Sequence, residues 1–205
     1  ELAEKYVWDA GNEYKGLNMY NAAVMTTVPS TGEIVAMAGS KSFYEKSEAC
    51  DAEGYNCKYD PQVNIFTSLQ SPGSTNKPLG YYIAFRERKL YPWSSLADIP
   101  TRFGDYSPKN WDGLYIGFRT ARDMLRWSRN IPAVRVVTTI GVNNYLDNAR
   151  AFGYTTYEDY NNYGQSVILG GADIYLDEHA QAYGVFANGG DLVKLITSTN
   201  TEELL

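Results

Sequence analysis

Apolar and polar positions give a strand signal first and helical signals afterwards. Two β-rich runs, Ala22 to Val28 and Glu33 to Ala38, flank Pro29-Ser30-Thr31-Gly32. That is turn chemistry between two antiparallel strands. Ahead of them, ELAEKYVWDAGNEY reads as the tail of a helix already under way, and residues 40–62 are polar, a surface excursion. A helix is predicted from about Ser74 to Lys89. Pro78 is tolerated there because it falls in or near the first turn, where few backbone N–H groups have partners. Pro92, Pro100, Gly104 and Pro108 punctuate residues 90–118, which read as extended and irregular. Thr120 followed by Asp123 forms a capping box for a helix carrying Met124, Leu125 and Trp127. This helix must stop near Asn130, because Pro132 disfavours helical geometry at Ile131. Pro132 suits the first turn of a new helix running to Gly141. Another starts at Asn143 or Asn144 and is closed by Gly153. DEHAQAYGVFANGG is a last helix, acidic in its first turn and stopped by Gly-Gly. The class is α+β. A lone hairpin is marginally stable, so more strands are expected, yet little sequence follows Gly190 to hold them.

Composition narrows the picture. The 205 residues, 44% of them hydrophobic, suit one domain of ordinary size, or one plus a fragment, with a real core. A net charge of -6 argues against a nucleic-acid binder, which needs a basic face. Eighteen tyrosines fit wet clefts and exposed sheets, or simply the composition of a lineage. No run of 18 apolar residues exists, and no signal peptide is present. An opening inside a helix suggests a piece of a longer protein, in which case the missing targeting segment says nothing about location. Cys50 and Cys57 lie in the polar loop SEACDAEGYNCKYD and fit a local disulfide in an oxidising compartment, with two free thiols as the alternative. No second Cys or His pair completes a metal site. Asp51, Glu53 and Asp60 match no calcium loop and read as solvated.

The candidate chemistry sits in LQSPGSTNKPLGYYIAF. Ser74 and Lys77 are one helical turn apart and share a face, with Cβ atoms about 5–6 Å apart. A serine hydroxyl needs a base, and a lysine is one only if desolvation or nearby positive charge lowers its pKa. A helix N-terminus adds partial positive charge and free N–H groups for an oxyanion. The backbone can turn sharply at Pro72-Gly73. In WSRNIPAV, Ser128 can relay a proton to a leaving amine, and the Asn130 amide can hold a substrate carbonyl or the lysine. The alternative is a helix C-cap, since Asn tolerates left-handed geometry.

SPGSTNKP resembles the Pro-Gly-Ser-x-x-Lys-Pro block of penicillin-binding protein transpeptidase domains, in which Ser-x-x-Lys is accompanied by Ser-Asp-Asn and Lys-Thr-Gly motifs. YSPKNWDGLYIGFRTARDMLRWSRNIPAV resembles the second-motif segment of class A members, with Tyr106, Pro108, Asn110, Gly113, Gly117, Thr120, Arg122, Leu125, Ser128, Asn130 and Ala133-Val134 where that pattern expects them. NAAVMTTVPSTGEIVAMAGS is similar to the family's opening hairpin, and ILGGADIYLDEHAQAYGVFANGG to its late helix. The resemblance covers about residues 1–190 in unbroken order. The third motif is missing from LVKLITSTNTEELL, which ends at Leu205.

The resemblance implies a transpeptidase/β-lactamase-like α+β fold, an antiparallel sheet with helices, incomplete in this chain. Its parts would be a leading helix end and first hairpin (1–39), a surface insertion (40–62), a helical part with both motifs (63–190) and an unassigned tail (191–205). It implies a D,D-transpeptidase that cross-links peptidoglycan. Ser74 would attack the carbonyl between two D-alanines and supply one oxyanion N–H, with Lys77 as general base. Ser128 would pass a proton to the leaving amine, and Asn130 would orient substrate. No metal or cofactor is implied. His179, the only histidine, falls where the family varies and reads as structural or exposed. Implied partners are peptidoglycan stem peptides, β-lactams that trap Ser74, a glycosyltransferase domain in a membrane-anchored parent facing out of the cytoplasm, and a second copy through an open sheet edge. Without the third-motif strand, weak acylation is expected of this chain alone. The rivals are a serine β-lactamase or D,D-carboxypeptidase, opposed by the 106–134 block, and a non-catalytic penicillin-binding-like module, favoured by the missing motif. The family reading also places Lys77 Nζ within hydrogen-bond range of Ser74 Oγ, about 2.6–3.2 Å or somewhat looser without ligand, with Ser128 and Asn130 facing the same cleft.

Overall fold

A computed structural model describes residues 1–197. Its elements are α1 (Leu2–Glu13), β1 (Val24–Thr27), β2 (Glu33–Ala38), α2 (Lys77–Arg86), β3 (Ser95–Asp98), β4 (Gly117–Thr120), α3 (Ala121–Arg126), α4 (Asn130–Ile140), α5 (Val142–Ala151), α6 (Leu176–Ala187) and β5 (Ile196–Thr197), with short 3-10 turns between them. They form two compact units, Glu1–Gln70 with the chain from Tyr175, and Ser71–Ile174. This division cuts across the consecutive parts read from sequence, since the 63–190 stretch gives both its ends to the first unit. Residues 198–205 of the tail lie outside the described residues.

In the first unit β1 and β2 pair antiparallel, from Val24 opposite Ala38 to Thr27 opposite Ile34, with a register shift at Thr26/Thr27. The tail supplies a further strand. β5 runs parallel to β2, with Glu33 opposite Ile196, and the Ile196 N–H donates to the Gly32 carbonyl at 2.8 Å. Gly32 has φ +77, and a Cβ there would lie 1.9 Å from the Lys194 carbonyl oxygen. Only a glycine lets the tail come this close.

The 40–62 excursion is anchored from within. The Lys41 side chain is fully buried and pairs with Glu48 at 2.6 Å and Glu45 at 3.2 Å, and its ammonium lies 4.2 Å from the Tyr59 ring centre. A buried charge is tolerable when it is paired and hydrogen-bonded in this way. Cys50 and Cys57 are joined by a disulfide. Among the described residues, no group of three His, Cys, Asp or Glu is arranged to hold a metal ion.

The second unit packs α2 on α4, with Ile83, Ala84, Ile131, Val134, Val137 and Leu146 wholly buried. Three sequence expectations change here. Residues 90–118 are not irregular throughout, because β3 pairs with β4 from Ser95 opposite Thr120 to Asp98 opposite Gly117. That pairing joins segments about 20 residues apart and has no local signal. The helix expected from Ser74 opens as a 3-10 turn, Gly73–Asn76, and becomes α-helical only at Lys77. Finally, α3 ends at Arg126, ahead of the expected stop, and Asn130 is the first residue of α4 rather than the last of α3.

His179 is buried in α6 at 7% exposure against the Tyr183 ring, and burial pushes its pKa down to about 4. The unfolded chain takes up this proton near pH 6.5 and the folded chain does not, so stability is complete above pH 6.5 and falls as pH drops toward 4. We expect up to about 3 kcal/mol to be lost through this window. The His179→Gln variant should flatten that slope in urea unfolding measured at stepped pH. An unchanged slope would show that the histidine is not the titrating group.

Candidate active site

The site is built within the Ser71–Ile174 unit. The chain enters through Ser71, whose hydroxyl donates to the Gly170 carbonyl at 2.7 Å. It turns at Pro72 and Gly73, where φ is +55, into the 3-10 turn that carries Ser74. Asn76 anchors this turn from the core side, donating to the Tyr157 hydroxyl at 3.0 Å and the Val167 carbonyl at 3.2 Å. Ser74 is exposed, while Lys77, one turn later, is buried at 1% exposure.

The Lys77 ammonium donates to the Ser128 carbonyl at 2.6 Å, the Ser128 hydroxyl at 3.0 Å and Asn130 Oδ1 at 2.6 Å. Three N–H groups thus meet three acceptors. The structure brings Lys77, Ser128 and Asn130 together, three residues beyond Ser74. The hydrogen-bond partners of the Lys77 ammonium are these oxygens, and Ser74 Oγ is not among them. The physical reason is supply, since the α3–α4 junction presents three acceptors from one side, a carbonyl, a hydroxyl and an amide oxygen, one for each N–H. Those partners are uncharged, so none of them stabilises the ammonium as a carboxylate would. Burial first, and then the positive charge of Arg129, lower the Lys77 pKa to about 8.

The junction presenting these acceptors has a defined local cause. The Ser128 N–H donates to the Leu125 carbonyl and the Arg129 N–H to the Met124 carbonyl, both at 3.0 Å. These two bonds make a Schellman ending for α3, and Ser128 takes the left-handed position with φ +51. The C-cap reading therefore holds for Ser128, where glycine is usual, and not for Asn130. The Asn130 N–H at the start of α4 donates to Asn110 Oδ1 at 2.8 Å, and Asn130 Nδ2 donates to the Lys109 carbonyl at 2.8 Å. Its amide is thereby oriented with the oxygen toward Lys77. A groove of about 460 Å³ opens beside Ser128, lined by Trp111, Ile116, Arg126, Trp127 and Arg129.

The sequence reading missed Gly170 as a site residue. Its φ is +85, and a Cβ on it would fall 2.2 Å from the Gly73 nitrogen. The backbone of Gly170 therefore backs the turn that presents Ser74. The only sequence signal was the Gly-Gly of ILGGADIYL, which gives no spatial partner.

Residues 22–203 match the family described as penicillin binding protein transpeptidase domain. Among curated proteins, penicillin-binding protein 1C of Escherichia coli is 37% identical over 134 residues, covering 65% of this chain and 17% of that protein. Penicillin-binding protein 1F of Bacillus subtilis is 33% identical over 189 residues, covering 90% of this chain and 24% of that one. The chain thus spans about a fifth of the length of the curated relatives it matches. The crystal structure of penicillin-binding protein 1A from Haemophilus influenzae aligns with a TM-score of 0.68 at 30% identity, over 85% of this chain and 24% of that one. A transpeptidase domain from penicillin-binding protein 3 of Burkholderia pseudomallei aligns at 0.72, over 98% of this chain and 61% of that one, and at 15% identity shows shared fold alone.

Gly170→Ala should disturb the turn that carries Ser74. The left-handed φ alone costs about 1–2 kcal/mol, and the contact with backbone adds to it. Thermal unfolding should show a larger loss than for Gly104→Ala, a control with φ +61 and open space around it. Displacing Ser74 should slow its reaction with an acylating probe by about 10- to 100-fold. Equal behaviour of the two variants would remove Gly170 from the site.

Proposed function

The chain belongs to the penicillin-binding protein transpeptidase domain family, within the class A branch, and on that footing we propose that it carries the acylation chemistry of a peptidoglycan D,D-transpeptidase, with Ser74 as nucleophile. The observation that carries this reading is the Lys77 ammonium, buried and shared with Ser128 and Asn130 one turn from an exposed serine. In the ammonium form all three donors are engaged. Loss of one proton leaves two N–H donors and a lone pair, so one acceptor is released and the lone pair can take up the Ser74 proton. That is the state in which Lys77 acts as general base.

Ser74 Oγ then attacks the carbonyl of the penultimate D-alanine of a stem peptide, and its proton passes to Lys77. The Ser74 N–H stabilises the developing oxyanion. The proton moves from Lys77 Nζ across the 3.0 Å contact to Ser128 Oγ, and Ser128 delivers its own proton to the leaving D-alanine nitrogen as the C–N bond breaks. Asn130 orients both the lysine and the substrate amide. The acyl-enzyme is released to the amine of a second stem peptide, which forms the cross-link. β-Lactams mimic the first peptide and leave the acyl group on Ser74. The setting proposed is the extracytoplasmic face of a bacterial membrane, in a protein that also carries a glycosyltransferase domain.

The test is labelling of the natural gene product with a fluorescent penicillin. One equivalent should appear on the Ser74 peptide by mass spectrometry, none in Ser74→Ala, and about 10²- to 10⁴-fold less rapidly in Lys77→Met. Because the base must be neutral, the rate should fall about tenfold per pH unit below a limb near pH 8. Label on another residue, or a rate indifferent to pH across that limb, would refute the assignment.

A further inference from the structure

We propose that Arg129, the residue between Ser128 and Asn130, is the positioning residue of this site. Its side chain enters a buried clamp, sharing none of the Lys77 partners, that holds the left-handed turn and so aims three oxygens at the lysine. The inference rests on the acyl-transfer reading for its consequence, but its geometry stands apart from that reading.

The clamp uses all three guanidinium nitrogens. Nε donates to Asp98 Oδ2 at 2.8 Å, Nη1 to Asp112 Oδ2 at 2.8 Å, and Nη2 to the Leu114 carbonyl. Arg129 is 4% exposed and Asp98 is fully buried. Asp98 is itself held, accepting from Asn110 Nδ2 at 2.7 Å and from the Ile116 N–H at 3.2 Å. Asn110 then closes the circuit, donating to the Leu114 carbonyl at 2.8 Å and accepting the Asn130 N–H at 2.8 Å. The ring runs from Arg129 through Asp98 and Asn110 to Asn130, and the 129–130 peptide bond completes it. The end of β3, the 110–116 loop and the start of α4 are fixed to one another through a single side chain.

Two features separate this from an ordinary buried ion pair. First, Arg129 occupies the N-cap of α4, where Ser, Thr, Asp or Asn would satisfy the helix locally, and it makes no side-chain cap bond. The capping task passes to Asn110 on another segment. Position 129 thus gives up local stability to reach the clamp. Second, the residue before it is held at φ +51 despite having a Cβ. Such a conformation persists only where the surroundings over-determine it, and it concentrates at sites whose geometry matters. A planar fork with fixed donor directions suits this task, and a flexible ammonium does not. The lowering of the Lys77 pKa by the same positive charge agrees with this placement.

The experiment compares Arg129→Lys, which keeps the charge but loses the fork, with Asp112→Asn, which removes one arm at a partly exposed carboxylate and leaves Asp98 paired. Each is measured in the natural gene product, well below its melting temperature. We expect penicillin acylation to be about 10- to 100-fold slower in the first and several-fold slower in the second, carried by the acylation step and not by non-covalent affinity. The pH limb should stay in place in Arg129→Lys, since the charge remains. A second readout needs no penicillin. Amine modification of Lys77, followed by peptide mapping with Lys89 as internal reference, should quicken about tenfold once its acceptors are loosened. Should Arg129→Lys fail to fold, Asp112→Asn decides both readouts. Folded variants with wild-type acylation and wild-type Lys77 reactivity would overturn the proposal. If the unaltered protein takes no label at Ser74, the acyl-transfer reading falls, while Lys77 reactivity still judges whether Arg129 positions it.

Discussion

A lysine charge withdrawn from water and held only by uncharged oxygens is the constraint on which this structure turns. Burying an ammonium is costly unless each N–H finds a partner, and a carboxylate would be the easy solution. Here the partners are one carbonyl, one hydroxyl and one amide. They satisfy the hydrogen bonds without fixing the proton, so the ammonium is both ordered and ready to give up a proton. Everything nearby follows from the need to supply three such oxygens from one direction. The helix break between α3 and α4 places two of them on one residue by turning its backbone left-handed. The next helix begins with the third.

Lys41, in the first unit, shows the contrary arrangement. It too is buried, but two carboxylates and an aromatic face surround it, and its pKa is raised despite burial. The same side chain thus serves opposite ends. One lysine is locked as a cation to hold an excursion together, and the other is kept close to losing its proton. Burial alone does not distinguish them, whereas the charge of their partners does.

How far the sequence disclosed this can be judged residue by residue. Punctuation was legible wherever the cause was local. Thr120 caps α3 and bonds the Asp123 N–H, Pro132 sits in the first turn of α4, and β2 has the bounds its apolar run indicated. The pairing of Ser74 with Lys77 and the grouping of Ser128 with Asn130 were readable as motifs. What escaped was non-local. β3 and β4 are strands because each is the other's partner, and the residues between them carry Pro and Gly that suggest no strand at all. Asn110 caps a helix 20 positions away, a task that belongs locally to position 129. Gly170 is defined by the backbone of Gly73, nearly a hundred residues earlier. The partners that Lys77 takes escaped for a related reason, since spacing shows which groups can meet and not which acceptors another segment supplies.

The tail strand carries one more consequence, for synthesis. Residues 71–174 are contiguous, so the unit bearing Ser74, Lys77, Ser128 and Asn130 has all its chain once position 174 has been made. The other unit cannot complete its sheet then. Its β2 must wait for Ile196, over 150 positions after its own start, to dock at Gly32. Pairing over such a separation is slow and leaves strand edges uncovered in the interval. On a ribosome the unit that carries Ser74 is therefore ready first, while the hairpin that precedes it in the gene still waits for Ile196 to be made.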